Sequence, residues 1–131
     1  MNYLTEAGNV TTSTRMEVTV DVIKELTGSL SNINLGLMRF DRSSNGGLID
    51  VPVTDIATSG PLINTKVDSY YANGGTPLEE SMHEAARYYR GDTWGYGDGA
   101  SPNSSVLTSR STADTSKYLS PITATCQKNH I

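Results

Sequence analysis

Few residues in this chain are of a type that does chemistry, and their spacing decides what each could do. Ser81 and His83 are two apart, so on a helix they face different directions, which argues against a nucleophile and its base. Cys126, the single cysteine, lies four residues before His130. One thiol and one imidazole do not make a zinc site, and Cys126 can close no internal disulfide. Arg90-Gly91-Asp92 spells the integrin-recognition tripeptide, yet a helix that stops in Arg-Gly before an aspartate has the same wording. Asp92, Asp98 and the glycines of "DTWGYGDG" lack the order of acidic positions of an EF-hand loop. The glycosylation acceptor pattern at Asn9 and Asn103 is one frequent by chance. No catalytic constellation emerges, and the expectation is a protein that is not an enzyme.

What remains is "ANGGTPLEESMHEAARYYRGD", residues 72–92. Thr76, with Pro77 after it and Glu79 three residues on, fits a capping box: the hydroxyl accepts from a first-turn amide and the carboxylate reaches back to the cap amide. Leu78, Met82, Ala85, Ala86 and Tyr89 then recur at helical spacing, and Gly91 occupies the stop position. By local chemistry Thr76 is a helix cap. Just past this helix, Tyr88, Trp94 and Tyr96 are candidates for a contact patch, since Tyr and Trp anchor interfaces; the alternative is core and surface cover.

The elements that would position these residues can be read along the chain. Residues 1–13 are polar and turn-rich, a leader. Thr14 and Glu17 repeat the capping signature, and a helix with Met16, Val20, Ile23, Leu26 and Leu30 on one stripe follows, stopping near residues 28–31; the β-branched Val18, Val20, Val22 and Ile23 leave a strand as the alternative there. "INLGLMRFD" (33–41) has the density of a buried strand, and "GGLIDVPVTDI" (46–56) a second one. The turn chemistry of residues 42–46 makes them an antiparallel hairpin, with Pro52 placing its strand at a sheet edge. Pro61 opens a short helix that carries Ile63, Val67 and Tyr70-Tyr71 to the glycines before Thr76. Residues 91–121 are rich in Gly, Ser, Thr and Asp without period, and read as a lid or disordered insertion. Residues 122–131 read as the start of a further strand.

Bulk composition sets the outer limits. The 131 residues suit one domain, and the net charge of −4 with no basic stripe argues against nucleic-acid binding. With 36% hydrophobic residues, one Phe and one Trp, the core should be thin. No apolar run is long enough to cross a bilayer. Residues 1–6 lack the basic and apolar regions of a signal peptide, so the expectation is a chain not exported by its own N-terminus.

The order helix, strand, edge strand, short helix and "GGTPL" helix resembles the middle of a von Willebrand factor A domain. The wording "STRMEVTVDVIKEL", "NINLGLMRFD", "NGGTPLEESMHEAARYYRG" and "CQKNHI" most resembles the type IV pilus tip-associated adhesin and assembly proteins, over residues 14–131. The resemblance implies an α/β fold: a partial doubly wound sheet with an antiparallel edge hairpin and flanking helices, lacking the first central strand and the strand after Ile131. It also implies an adhesion role at the cell surface or pilus tip, with host surfaces or pilus components as partners. Magnesium or manganese would be the cofactor of the parent domain.

Such domains hold their ion with an Asp-x-Ser-x-Ser loop, a threonine on a second loop and an aspartate on a third. Only the threonine loop is present, Thr76 after Gly74 and Gly75, and Asp114-Thr115-Ser116 is the nearest wording to the first. A lone hydroxyl cannot ligate magnesium, so no stable metal site is expected in this chain. A sheet without its central neighbours leaves the 33–41 strand with one unpaired edge, through which self-association is expected. The other reading is a free-standing small α/β oligomer that binds no metal through Thr76.

Overall fold

Thr14 starts the first long helix through purely local chemistry. Its Oγ1 accepts from the Glu17 amide at 3.2 Å, and Glu17 Oε2 accepts from the Thr14 amide at 2.5 Å, a complete capping box. These hydrogen bonds hold the Glu17 carboxyl below its usual value. In the computed structural model, which describes residues 2–4, 10–42, 46–96 and 105–131, the chain runs β1 (Asn2–Leu4), β2 (Val10–Thr12), α1 (Arg15–Ser29), β3 (Asn34–Phe40), β4 (Gly47–Asp55), α2 (Ile56–Val67), α3 (Leu78–Arg90) and a 3₁₀ turn (Leu107–Ser109). The polar leader contributes the antiparallel pair β1–β2. Asn9, Asp98 and Asn103 lie outside the described residues.

β3 and β4 form the expected antiparallel hairpin, but the register slips twice. Leu37 faces Val51 and Met38 faces Ile49, so Asp50 has no opposite number. Between Leu35, which faces Thr54, and Leu37, both Pro52 and Val53 stand against Gly36 alone. A Cβ at position 36 would fall 2.8 Å from Val53 Cγ2 and 2.9 Å from the Val51 carbonyl oxygen, so only glycine fits beside this bulge. The sheet has two strands, and Pro52 thereby sits on an edge strand, as its missing N–H requires.

Helices cover both faces, giving a layered α/β arrangement. On one side Leu35, Leu37 and Val51 meet Val20 and Ile23 of α1, Ile63 and Val67 of α2, and Tyr70. On the other, Met38, Ile49 and Val53 meet Tyr88 of α3 and Tyr118. The core is therefore two small clusters, one on each face of a hairpin.

α2 departs from the sequence reading. Asp55 caps it, Oδ1 accepting from the Ala57 amide at 2.9 Å, so the helix begins at Ile56 and Pro61 lies inside it. It ends at Val67, and Tyr70 and Tyr71 belong to the loop beyond. α3 ends as read, with Gly91 in the left-handed region at φ 70°. Its buried face is different: Ser81, Glu84, Ala85 and Tyr88 point inward, while Leu78 and Met82 are exposed. The helix is turned because Glu84 and Tyr88 have polar partners inside. Tyr88 OH accepts from the Val53 amide at 2.9 Å. Fully buried Glu84 accepts from the amides of Gly95 (3.0 Å) and Tyr96 (2.8 Å) and from Tyr118 OH (2.6 Å).

This carboxylate also corrects the reading of residues 91–121. The described part of that run is pinned to the core: the Tyr118 hydroxyl donates to Glu84, the Val106 amide donates to the Ile49 carbonyl at 2.9 Å, and Ser105 Oγ accepts from the Ile49 amide at 3.0 Å. Residues 122–131 form turns, with the Gln127 amide donating to the Ala124 carbonyl, and no strand. Among the described residues, no helix is long and apolar enough to cross a membrane.

Burial, then the hydrogen bond to Glu84, pushes the Tyr118 hydroxyl well above its ordinary 10.0. A folded-state value above the unfolded one contributes stability that is fully present below pH 10 and is lost as pH rises beyond it. The loss approaches about 1.4 kcal/mol per pH unit for this group. Urea titrations should therefore give a flat midpoint from about pH 7 to pH 10 and a falling one above, the fall being shallower in Tyr118→Phe. At neutral pH the same substitution should cost about 1.5 to 3 kcal/mol, because it removes a donor from a buried charge.

Candidate functional site

The loop of residues 70–77 connects α2 to α3 and carries the candidate threonine. Gly74 turns it, with φ at 95°, and lies so close to the end of β3 that a Cβ would come 2.9 Å from the Arg42 Cα and its carbonyl oxygen. Conformation and close approach both require glycine here. The Thr76 carbonyl accepts from the Leu78 amide at 2.8 Å, but the α3 cap makes no side-chain hydrogen bond. Pro77 occupies the cap position, with ψ at 69°, so the third helical residue is Glu80 and not Glu79. The capping box expected for Thr76 is thus one residue out of frame, and the exposed hydroxyl is available to solvent.

Gly74 and Gly75 line one side of a cleft of about 480 Å³ between the loop, β3 and α3. Its walls are apolar, with Met16, Met38 and Met82 supplying adaptable side chains beside Phe40 and Leu78. The rim is basic. Arg42 lies over the Tyr71 ring at 4.1 Å and donates to its hydroxyl. Arg39 Nε donates to buried Asp50 at 2.7 Å, and Tyr70 OH donates to the same oxygen at 2.5 Å. Burial first, then Asp50, raises the Tyr70 hydroxyl far above the usual tyrosine range, so it remains a proton donor to that carboxylate. Asp50 is the residue that bulges out of β4, and this pair of donors is what occupies it.

The donor set around Thr76 does not fit a divalent ion. Gly74 and Gly75 offer no side-chain oxygen, and the neighbour across Gly74 is an arginine. Among the described residues no three of His, Cys, Asp or Glu come together. Asp114, in the nearest match to the missing metal loop, is engaged by Ser116, whose hydroxyl and amide both donate to Oδ1 at 2.6 and 3.0 Å. Those bonds hold its carboxyl below the usual value.

The other candidates separate. Tyr88 is 3% exposed and belongs to the core, so it is no part of a surface patch. Trp94 is half-buried and packs on the Tyr88 cluster, while Tyr96 is exposed and meets His83 edge-on with ring centroids 6.3 Å apart. Arg90 and Asp92 pair with each other at 2.6 Å around Gly91, with both side chains still about half exposed. Ser81 is buried and His83 exposed, on different sides of α3. Cys126 is exposed. Sequence reasoning missed Glu84 and Asp50, and neither has a local signal: their partners arrive from 11 to 34 residues away.

Comparison of the chain with protein-family models, with curated proteins and with solved structures finds no match.

The two threonines make a direct test of cap geometry. Thr14→Ala should cost about 1 kcal/mol in chemical denaturation, the value of a lost cap. Thr76→Ala should stay within about 0.5 kcal/mol of the parent, as an exposed substitution without a bonded partner.

Proposed function

We propose that this chain is a non-enzymatic adhesion and interaction module, a central piece of a von Willebrand factor A-like domain of the type IV pilus tip adhesin and assembly kind. The observation that carries this reading is the Gly74-Gly75-Thr76 loop. It stands between two helices of a layered α/β unit, pressed by Gly74 against the end of β3 and leaving its threonine hydroxyl exposed. The same loop wording, followed by a helix that closes on "ARYYRG", underlies the resemblance. In this reading Thr76 is one contributor to a metal-dependent adhesion site whose carboxylates lie on other loops. The present chain works by contact, through Trp94 and Tyr96, the cleft beside Gly74 and a second copy of itself. Pilus components and host surfaces are the partners, at the cell surface. The burial of Ser81 away from exposed His83 supports a role without catalysis.

Two measurements test the proposal. Retention on pilin-coated and host-cell surfaces should be saturable and unchanged by a chelator, and absence of retention on both would overturn the adhesion role. Magnesium and manganese titrations followed at the Thr76 amide by NMR should give no saturable shift below millimolar metal. A saturable shift there would overturn the incomplete-site reading.

A further inference from the structure

The two edges of the β3–β4 sheet are treated differently. The outer edge of β4 is closed: the Ile49 amide donates to Ser105 Oγ at 3.0 Å, its carbonyl accepts from Val106, the Val53 amide donates to Tyr88 OH, and Pro52 has no amide to offer. Two bulges add to this, and both proline and bulges are devices that stop a strand from templating another. β3 has none of them. Among the described residues, no hydrogen bond from outside the sheet reaches the backbone of residues 34–38. Residues 34–38 also line one side of a groove of about 350 Å³ on the α3 side of the sheet, shared with Ile49 and Val53 of β4, Tyr88 of α3, and His130 and Ile131.

We propose that a second copy of this chain docks here, β3 against β3 in antiparallel fashion with Leu37 on the twofold axis, making a four-stranded sheet β4–β3–β3–β4. The inference rests on the reading of the chain as an interaction module and names the surface it uses on itself. The strand is self-complementary in this register. Leu37 meets Leu37, Gly36 gives room to Met38, Leu35 faces Arg39, and Asn34 faces Phe40, so all seven residues pair and no like charges are opposed. Residues opposite one another share a face, so the α1 and α2 layer of one copy continues into that of the other. Arg39, the one charged residue of β3, is already neutralised by Asp50, so no unpaired charge is desolvated.

Seven paired residues run about 24 Å, and with a layer of about 10 Å on either face the flat footprint is on the order of 500 Å² per copy. That is at the low end for specific interfaces, so association should be weak and depend on concentration.

Sedimentation velocity over a concentration series reads it. The mass should rise from one 14.1 kDa chain toward two. The double variant Asn34→Lys with Phe40→Lys sets lysines opposite each other at exposed positions and should stay monomeric at all concentrations with unchanged circular dichroism. Asn34→Lys with Phe40→Glu sets opposite charges across the axis and should restore the dimer. A parent chain monomeric at millimolar concentration, a dimer that survives the two lysines, or a lysine–glutamate variant that fails to dimerise would each overturn the proposal. Should the variants fold poorly, amide exchange of the unaltered chain decides: protection of residues 35–38 must grow with concentration, and protection independent of concentration overturns the pairing. Surface retention is measured with the chain diluted below the concentration at which it associates, so its outcome is separate from this one.

Discussion

The buried carboxylate of Glu84 is the constraint on which the arrangement depends. A charge out of contact with water is tolerable only when its lone pairs are filled, and here two amides and a tyrosine hydroxyl fill them. Those donors belong to the segment after α3. Meeting the demand of one side chain draws residues 93–96 and 118 against the helix, and residues 105–106 then lie along β4. Rotation of α3, coverage of the second sheet face and closure of one sheet edge follow from the same atoms. A polar segment of low apolar content is held by this acidic residue, by the bonds of residues 105–106 to Ile49 and by the packing of Tyr118 on Tyr88.

What was legible in the sequence is what local chemistry decides. The Thr14 capping box, the antiparallel pairing of residues 34–40 with 47–55 and the stop at Gly91 each form as read. The α/β class follows from them. The start of α2 was misplaced because Pro61 is a louder signal than Asp55, although the aspartate supplies an actual hydrogen bond. The phase of α3 was misread for a deeper reason. A stripe of Leu78, Met82 and Tyr89 has the right spacing to be a core face, but partners distant in sequence made Glu84 and Tyr88 the buried ones.

The candidate site divides along the same line. Gly74 and Gly75 were singled out through the resemblance, and for Gly74 the backbone itself requires glycine, with φ at 95° and Arg42 in close approach. The role of Thr76 as a cap was a property of frame, and Pro77 moved the frame by one residue. Tyr88 looked like part of an aromatic surface from its neighbours in sequence, whereas its hydroxyl meets the Val53 amide across the sheet. Asp50 and its two donors, which shape the rim of the cleft, come from three different elements and left no trace in spacing.

The separations of 11, 12 and 34 residues between Glu84 and its donors bear on how the chain is made as well as on how it stands. From α1 through α3 every layer packs on neighbours that precede it, so this part can assemble while the chain is still being synthesised. Glu84 is then on the wet side of a helix, fully hydrated. The Gly95 and Tyr96 amides follow within 12 residues, but its third donor, the Tyr118 hydroxyl, comes 34 residues later, so full dehydration of that carboxylate waits on the segment after α3. The second apolar cluster is completed by Tyr118, a residue that comes well after the helix it packs on.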